Sequence, residues 1–599
     1  MTIKRMSVIV THLIVFLAAS VRPLRAQNGA AQEGIPISDQ LTISKCGGCH
    51  IRDSKGMMRR ISYMRTTPEV WEQAIKRMIR LNGVSATPAE ASQIVRYLSS
   101  NNGLAPEEAK PIFWEAEHRL FRDQEEEKSG VPQPLATTCN TCHTLGRVLG
   151  QRRTRSDYEK LANMHMALFP GADLGVFHPS QIPPNPEDVP VRLAENTGGG
   201  YGPELAYPAA PAPASTKFPI DIALDYLSTT QPLITAEWTA WKAVMRPPKL
   251  AGTWLVNGYQ RGKGRVFGKM SVEATASPDE FATKIELHYA GGQVVARTGK
   301  GIVYTGYSWR GRSKAAQGES SGDPNFSPAE TREALFLSRD GSTMEGRWFW
   351  GGYQEFGLDV ELIRLGSDTV VLGTDRFAVQ SPSSGEIHVC GGNLPVSPKP
   401  SDFDLGAGVQ VTKVVRATPI EASLQITVAP GLPASLHDVS VRGATAVKSF
   451  AVYDKVDYIA VTPDASLARL GGTIAAKEYA QFEAVAYANG PDGLPGTPDD
   501  VSLGPVSANW SLEEFISTPD DDDVNYVGAI NNDGLFTPSI EGPNPKRKKQ
   551  SNNFPTENWG DVWVDAAYQS PTGQILKARS YLVVTVPSYI RYDQPEVSQ

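Results

Sequence analysis

Two five-residue motifs constrain this chain more than any other feature: Cys46-Gly-Gly-Cys49-His50 and Cys139-Asn-Thr-Cys142-His143. They contain four of the five cysteines in the sequence, the fifth being Cys390. In a CxxCH motif the two-residue spacer sets two thiols at the separation of the haem vinyl groups, and the histidine that follows lies under the iron as proximal ligand. A four-cysteine zinc site would need the two pairs to meet as one, but they stand about 90 residues apart where zinc ribbons have roughly 15 to 20. The motifs therefore predict two covalently held c-type haems, on Cys46 and Cys49 with His50, and on Cys139 and Cys142 with His143.

Haem is attached in this way to exported proteins, and the start of the sequence agrees. A basic beginning (Lys4, Arg5), an apolar stretch from Val8 to Ala19 and a small residue, Ala26, predict a secretory signal peptide over residues 1–26. No later stretch reaches the roughly 18 to 20 apolar residues that a membrane span needs, so a periplasmic protein without a span is expected. The formal net charge of −7 over 599 residues is mild. The one cationic run, Lys546-Arg547-Lys548-Lys549, sits among Pro and Asn and reads as a solvated loop, which argues against a nucleic-acid partner.

Each motif is followed by a similar pattern, so two haem units are expected at about 35–104 and 105–246 within one helical domain, 35–246. Thr67-Pro68-Glu69-Val70-Trp71 predicts an N-capped helix with Trp71, Ala74, Ile75 and Met78 on one face and Gly83 at its end. The capping box Thr87-Pro-Ala-Glu90 opens a second helix through Tyr97-Leu98-Ser99. In the second unit Thr154 to Tyr158 echoes Thr67 to Trp71, and Tyr226-Leu227-Ser228 echoes the close. Residues 105–121 read as a helix that opens this unit. The Pro/Ala/Gly-rich run at about 170–218 reads as a long loop. Because Met78 and His165 occupy equivalent helix positions, the repeat predicts axial pairs His50/Met78 and His143/His165. Competing readings are core packing for Met78 and a partly exposed helix residue for His165, with Met164, Met166 and His118 as rival ligands. A thioether favours ferrous iron relative to imidazole, so the Met-ligated haem is expected to have the higher potential.

From Leu250 the hydrophobic period changes to two. Short β-branched and aromatic segments separated by Gly291-Gly292 and Asp340-Gly341 predict an antiparallel barrel over 247–366. Two β-sandwich domains of immunoglobulin-like type are expected after it, at 367–447 and 448–599. The fold class is thus a helical dihaem cytochrome domain followed by all-β domains. Cys390 and His388 read as structural, and the acidic turns at 492–500 and 520–523, although conceivable calcium ligands, read as solvated. No nucleotide-binding glycine fingerprint, GxSxG or HExxH occurs, so no catalytic residue is assigned.

The order of parts resembles the haem-bearing alpha subunit of quinohemoprotein amine dehydrogenase over nearly the whole mature chain. The resemblance rests on the two CxxCH units and on Pro248-Lys-Leu-Ala-Gly-Thr-Trp254, Val452-Tyr-Asp-Lys-Val-Asp-Tyr458, Asn489-Gly-Pro-Asp-Gly493, Trp510-Ser-Leu-Glu-Glu-Phe515 and Asn558-Trp-Gly-Asp-Val-Trp563. It implies a heterotrimer in which a small subunit carries cysteine tryptophylquinone and a β-propeller subunit helps enclose it. Electrons would pass from the reduced quinone through the haems to a blue-copper protein or cytochrome c, with the amine oxidised on another chain. The insertion near 170–218 and a polar stretch near 533–556 depart from the family pattern. Alternatives are the dihaem subunit of another periplasmic dehydrogenase and a free-standing dihaem peroxidase.

Overall fold

A computed structural model describes residues 33–110, 133–136, 138–139, 145–178, 217–316, 322–516, 521–547 and 556–587. The expectations placed on residues 1–26, His118, Cys142, His143, Lys548, Lys549 and most of the 170–218 run concern positions outside these.

The helical region begins with α1 (Gln40–Cys46), capped by the Asp39 carboxylate, which accepts from Thr42 N at 2.7 Å. A three-residue strand β1 (Met64–Thr66) leads into α2 (Pro68–Asn82), capped by Thr67 and closed by Gly83 in the left-handed region at φ 71°. Then come α3 (Pro88–Asn101), with the Thr87/Glu90 capping box, and the short α4 (Pro106–Ala109). After α5 (Gln133–Ala136) and α6 (Leu145–Leu149), strand β2 (Gln151–Arg153) leads into α7 (Arg155–Leu168), capped by Thr154. The region ends with α8 (Pro219–Thr230) and α9 (Ala236–Val244).

The order β1-α2-α3 recurs as β2-α7-α8, and the recurrence is geometric. β1 and β2 pair antiparallel with Arg65 opposite Arg152. The offset that relates Arg65 to Arg152 also relates Thr67 to Thr154, Trp71 to Tyr158 and Met78 to His165, so a local two-fold axis passes between the two arginines. Trp71 Nε1 donates to Asn102 O at 3.2 Å, beyond the end of α3. Tyr158 donates its hydroxyl to Gln231 O at 3.2 Å, beyond the end of α8. Each helix pair is thus pinned by an aromatic at the same position.

The run that begins at Pro170 differs from the loop expected there. Residues 170–177 are helical, finishing in a π-type turn at Asp173–Phe177. Pro170 cannot continue α7 but suits a first helical turn, and Phe177, with Ala172 and Val176, packs on the apolar cluster of Tyr158, Ala162 and Leu224.

Eight antiparallel strands, from β3 (Gly252–Gln260) to β10 (Phe356–Arg364), close into a barrel by pairing β3 with β10. Trp254, Trp309 and Trp348 are its largest buried side chains. The helical region sits on the barrel through Trp241 Nε1 to Thr305 O (2.9 Å), Tyr307 Oη to Leu104 O (3.0 Å) and a buried ion pair between Arg310 and Glu69. Next come two four-stranded sheets facing one core. Their strand Ala444–Tyr453 runs across the division expected at 447/448. The polar Lys448-Ser449 there is not a linker but a bulge, with Lys448 at φ 49° and a register shift opposite His437 to Val439. The last segment holds three sheets, of three, four and three strands.

Candidate functional site

The first motif continues α1 by one turn. His50 N donates to Cys46 O at 2.9 Å and Cys49 N to the same carbonyl at 3.3 Å, so both thiols and the imidazole leave adjacent turns of backbone. Cys46 is buried and Cys49 exposed. Burial, with the Asp39 charge, pushes the Cys46 thiol up. Around Cys46 lie Ile37, Met58, Ile61, Met64, Trp71, Ile75 and Ile94, an apolar wall.

His50 Nδ1 lies 2.8 Å from Arg59 O. A carbonyl only accepts, so Nδ1 carries the proton and Nε2 carries the lone pair, the tautomer of a metal-binding histidine held by its other nitrogen. The carbonyl itself is fixed. Arg59 N donates to Ile51 O at 3.3 Å, Ile61 N donates to Arg59 O at 2.8 Å, and Arg60 adopts φ 67°. With ψ −54° this is a three-residue γ-turn closed by that Ile61 to Arg59 bond, a conformation that costs a non-glycine residue about 1–3 kcal/mol and is held by the surroundings. Its side chain pairs with Asp157 of α7 at 2.7 Å, which ties the loop under His50 to the second unit.

Met78 is half-buried on α2 and lies outside the apolar wall that contains Ile75. Met58 and Met64 are buried within it. These two thioethers had no signal in the sequence, because they fall in a segment without helical period. In the second unit, Cys139 N donates to Leu135 O at 2.8 Å and Cys139 packs against the cluster of Leu135, Tyr158, Ala162 and Phe177. Burial pushes its thiol up to about 12. His165, on the same helix as Tyr158, has Nδ1 2.9 Å from Leu161 O and its ring 6.2 Å from that of Phe177. Burial depresses its basicity, the Leu161 hydrogen bond opposing. Of its rivals, Met164 accepts from Arg77 Nη1 at 3.1 Å across the two units and Met166 packs against the apolar cluster.

The donor chemistry fits a haem: thiols one turn from an imidazole of fixed tautomer, against an apolar wall. Four family models match the chain. They are quinohemoprotein amine dehydrogenase A, alpha subunit, haem binding, over residues 37–178, and domains II, III and IV of the alpha subunit of the same enzyme over 247–365, 368–454 and 459–597. The chain belongs to the quinohemoprotein amine dehydrogenase alpha-subunit family. It carries that family's haem-binding domain, and the family is part of a multi-subunit oxidoreductase.

Among individually curated proteins none matches. Solved structures similar to parts of this alpha-subunit chain include a redesigned beta barrel, mFAP1, bound to DFHBI, at 15% identity over 19% of this chain and 94% of that one, TM-score 0.16. Another is the Bacteroides ovatus mixed-linkage glucan utilization locus protein SGBP-B in complex with a heptasaccharide, at 9% identity over 56% of this chain and 61% of that one, TM-score 0.16. Among the described residues no helix is long and apolar enough to cross a membrane.

Proposed function

We propose that this alpha subunit is the electron-transfer subunit of a periplasmic amine dehydrogenase and holds two c-type haems. The observation that carries this is the His50 arrangement, an imidazole one turn from two thiols with Nδ1 on a backbone carbonyl, in a chain with two CxxCH motifs. When bound, haem supplies a one-electron carrier. Cys46, Cys49 and His50 hold the first, and Cys139, Cys142 and His143 the second. Met78 and His165 are the distal ligands by the repeat; Met58 and Met64 pack the wall. The chain's own part is to fix the two units against one another and exclude water from them. Amine oxidation takes place at a cysteine tryptophylquinone on a small partner subunit beside a β-propeller subunit, and a blue-copper protein or cytochrome c receives the electrons.

Mass spectrometry of the exported chain checks the first part. Two haem masses are expected, and Cys46→Ala with Cys49→Ala should remove one. Near-infrared magnetic circular dichroism of the oxidised protein should show one His/Met and one bis-His centre, with Met78→Ala abolishing only the former. A mass fitting one haem would sink the dihaem reading, and loss of the His/Met signature in Met58→Leu or Met64→Leu instead would reassign the ligand.

A further inference from the structure

The segment around the first motif is basic. Residues 45–60 contain Lys45, Arg52, Lys55, Arg59 and Arg60 against a single acid, Asp53, in a chain whose formal net charge is −7. Arg52, Lys55 and Arg59 are exposed. Among the described residues none of the three has a carboxylate at ion-pair distance, whereas Lys45 pairs with Glu90 and Arg60 with Asp157. The one acid is engaged locally, its carboxylate accepting from Lys55 N and Met57 N.

Next to these cations in sequence an apolar side chain is also exposed. Ile51, directly after His50, is 55% exposed. Lys45 Nζ donates to Ser85 O at 3.0 Å, which draws the loop after α2 up to the end of α1 and so to Cys46. Cys49 is exposed.

We propose that this face is where an acidic, small redox protein docks to take electrons from the chain, an inference that rests on the electron-transfer function proposed above. A small apolar contact inside a charged rim is the form of transient redox encounters, which bury little surface and rely on opposite charge for their rate. The unpaired cations select an acceptor of negative face and repel a basic one.

The test uses the intact multi-subunit complex, reduced with its amine and mixed with an oxidised acidic monohaem cytochrome or, separately, a basic one. With the acidic protein the second-order rate should fall at least about tenfold between roughly 10 mM and 150 mM ionic strength, as the Debye length shrinks from about 30 Å to 8 Å. Arg52→Glu with Lys55→Glu should lower that rate by about tenfold and raise the rate with the basic protein, while haem reduction by amine within the complex is unchanged. Lys55→Glu alone should move both rates in the same directions by a smaller factor. Acetylation of Lys55 should also slow when the acidic cytochrome is added to the oxidised complex, an effect independent of turnover. A rate insensitive to salt and to both variants would overturn the docking proposal, as would a Lys55 already shielded by a partner subunit. Absence of amine-driven haem reduction in the unaltered complex would instead overturn the function on which it rests.

Discussion

Removing the Glu108 carboxylate should destabilise the helical region more than any other single charge deletion in it. Glu108 accepts from Arg65 Nη1 at 2.7 Å and Nη2 at 2.8 Å, from Thr235 Oγ1 at 2.7 Å and from Ala105 N at 2.8 Å, with Arg152 Nε at 3.3 Å. All three charged side chains are buried. Burial works to raise its pKa, and the hydrogen bonds and charge of Arg65, then the charge of Arg152, outweigh it and hold the carboxyl below its usual range. Its stabilisation is therefore present at neutral pH and is lost as pH falls through that lowered value. In Glu108→Ala the hydroxyl and the amide can find other partners, but two buried guanidinium groups remain opposite each other. Two charge-assisted bonds at about 1.5–3 kcal/mol each, or the about 3–5 kcal/mol of breaking a buried pair, give the same range. For a region of this size about 3–5 kcal/mol corresponds to a fall in Tm of roughly 6–20 °C, read by calorimetry as the transition of the helical region. Glu107→Ala is the control, because its partner Arg339 and Glu107 itself are both exposed and such a pair contributes about 0–1 kcal/mol. If Glu108→Ala shifted the transition no more than Glu107→Ala, the carboxylate would not be holding the arginines and the reasoning would fail.

Two further outcomes are expected from groups outside that node. Thr154→Ala, which removes the cap donated to by Asp157 N at 3.2 Å, should cost the helical region about 1 kcal/mol, and Thr67→Ala less, because its cap bond is longer at 3.5 Å; chemical denaturation of the two variants in parallel checks the order. In the barrel, burial pushes the Glu333 carboxyl up to about 7 despite hydrogen bonds from Trp309 and Ser313. A carboxyl raised in this way stabilises the fold fully below its ordinary value of 4.5 and loses that contribution as pH rises through about 7. The barrel transition should therefore fall in temperature across that window and fall less steeply in Glu333→Gln, where the Glu355 carboxyl, also raised by burial, remains; a flat wild-type profile would contradict this.

The helix starts were legible because their signals are local: Thr67 and Thr154 as caps, Glu90 in its capping box and Gly83 as terminator each act within one turn. The barrel was legible because alternation is obligatory where one strand face is buried. What could not be read are contacts made by short or aperiodic segments. β1 and β2 have three residues each, too few for a period, yet their pairing places the two helical units. Arg65, Arg152 and Arg310 carry a residue type that is mostly exposed, and nothing near them in sequence announces Glu108 or Glu69 as a partner. Met58 lies in a loop and Met64 opens β1, and both are buried in a cluster that draws residues from α2, α3 and a barrel strand. The strand through Lys448 was hidden by its bulge, where polar residues occupy the positions that alternation would fill with apolar ones.

The two-fold pairing also explains why the node needs a residue from outside the repeat. A duplicated segment that pairs with its own copy antiparallel sets the residue at the axis against its equivalent, so an arginine there meets an arginine, and no substitution within the repeat can make the pair complementary while both copies stay alike. Neutralisation must come from a position that occurs once, and Glu108 on α4, in the connection between the units, is such a position. One carboxylate against two guanidinium groups leaves one buried positive charge at the axis. Arg153 is neutralised within its own unit by Asp157, which also pairs with the part-exposed Arg60.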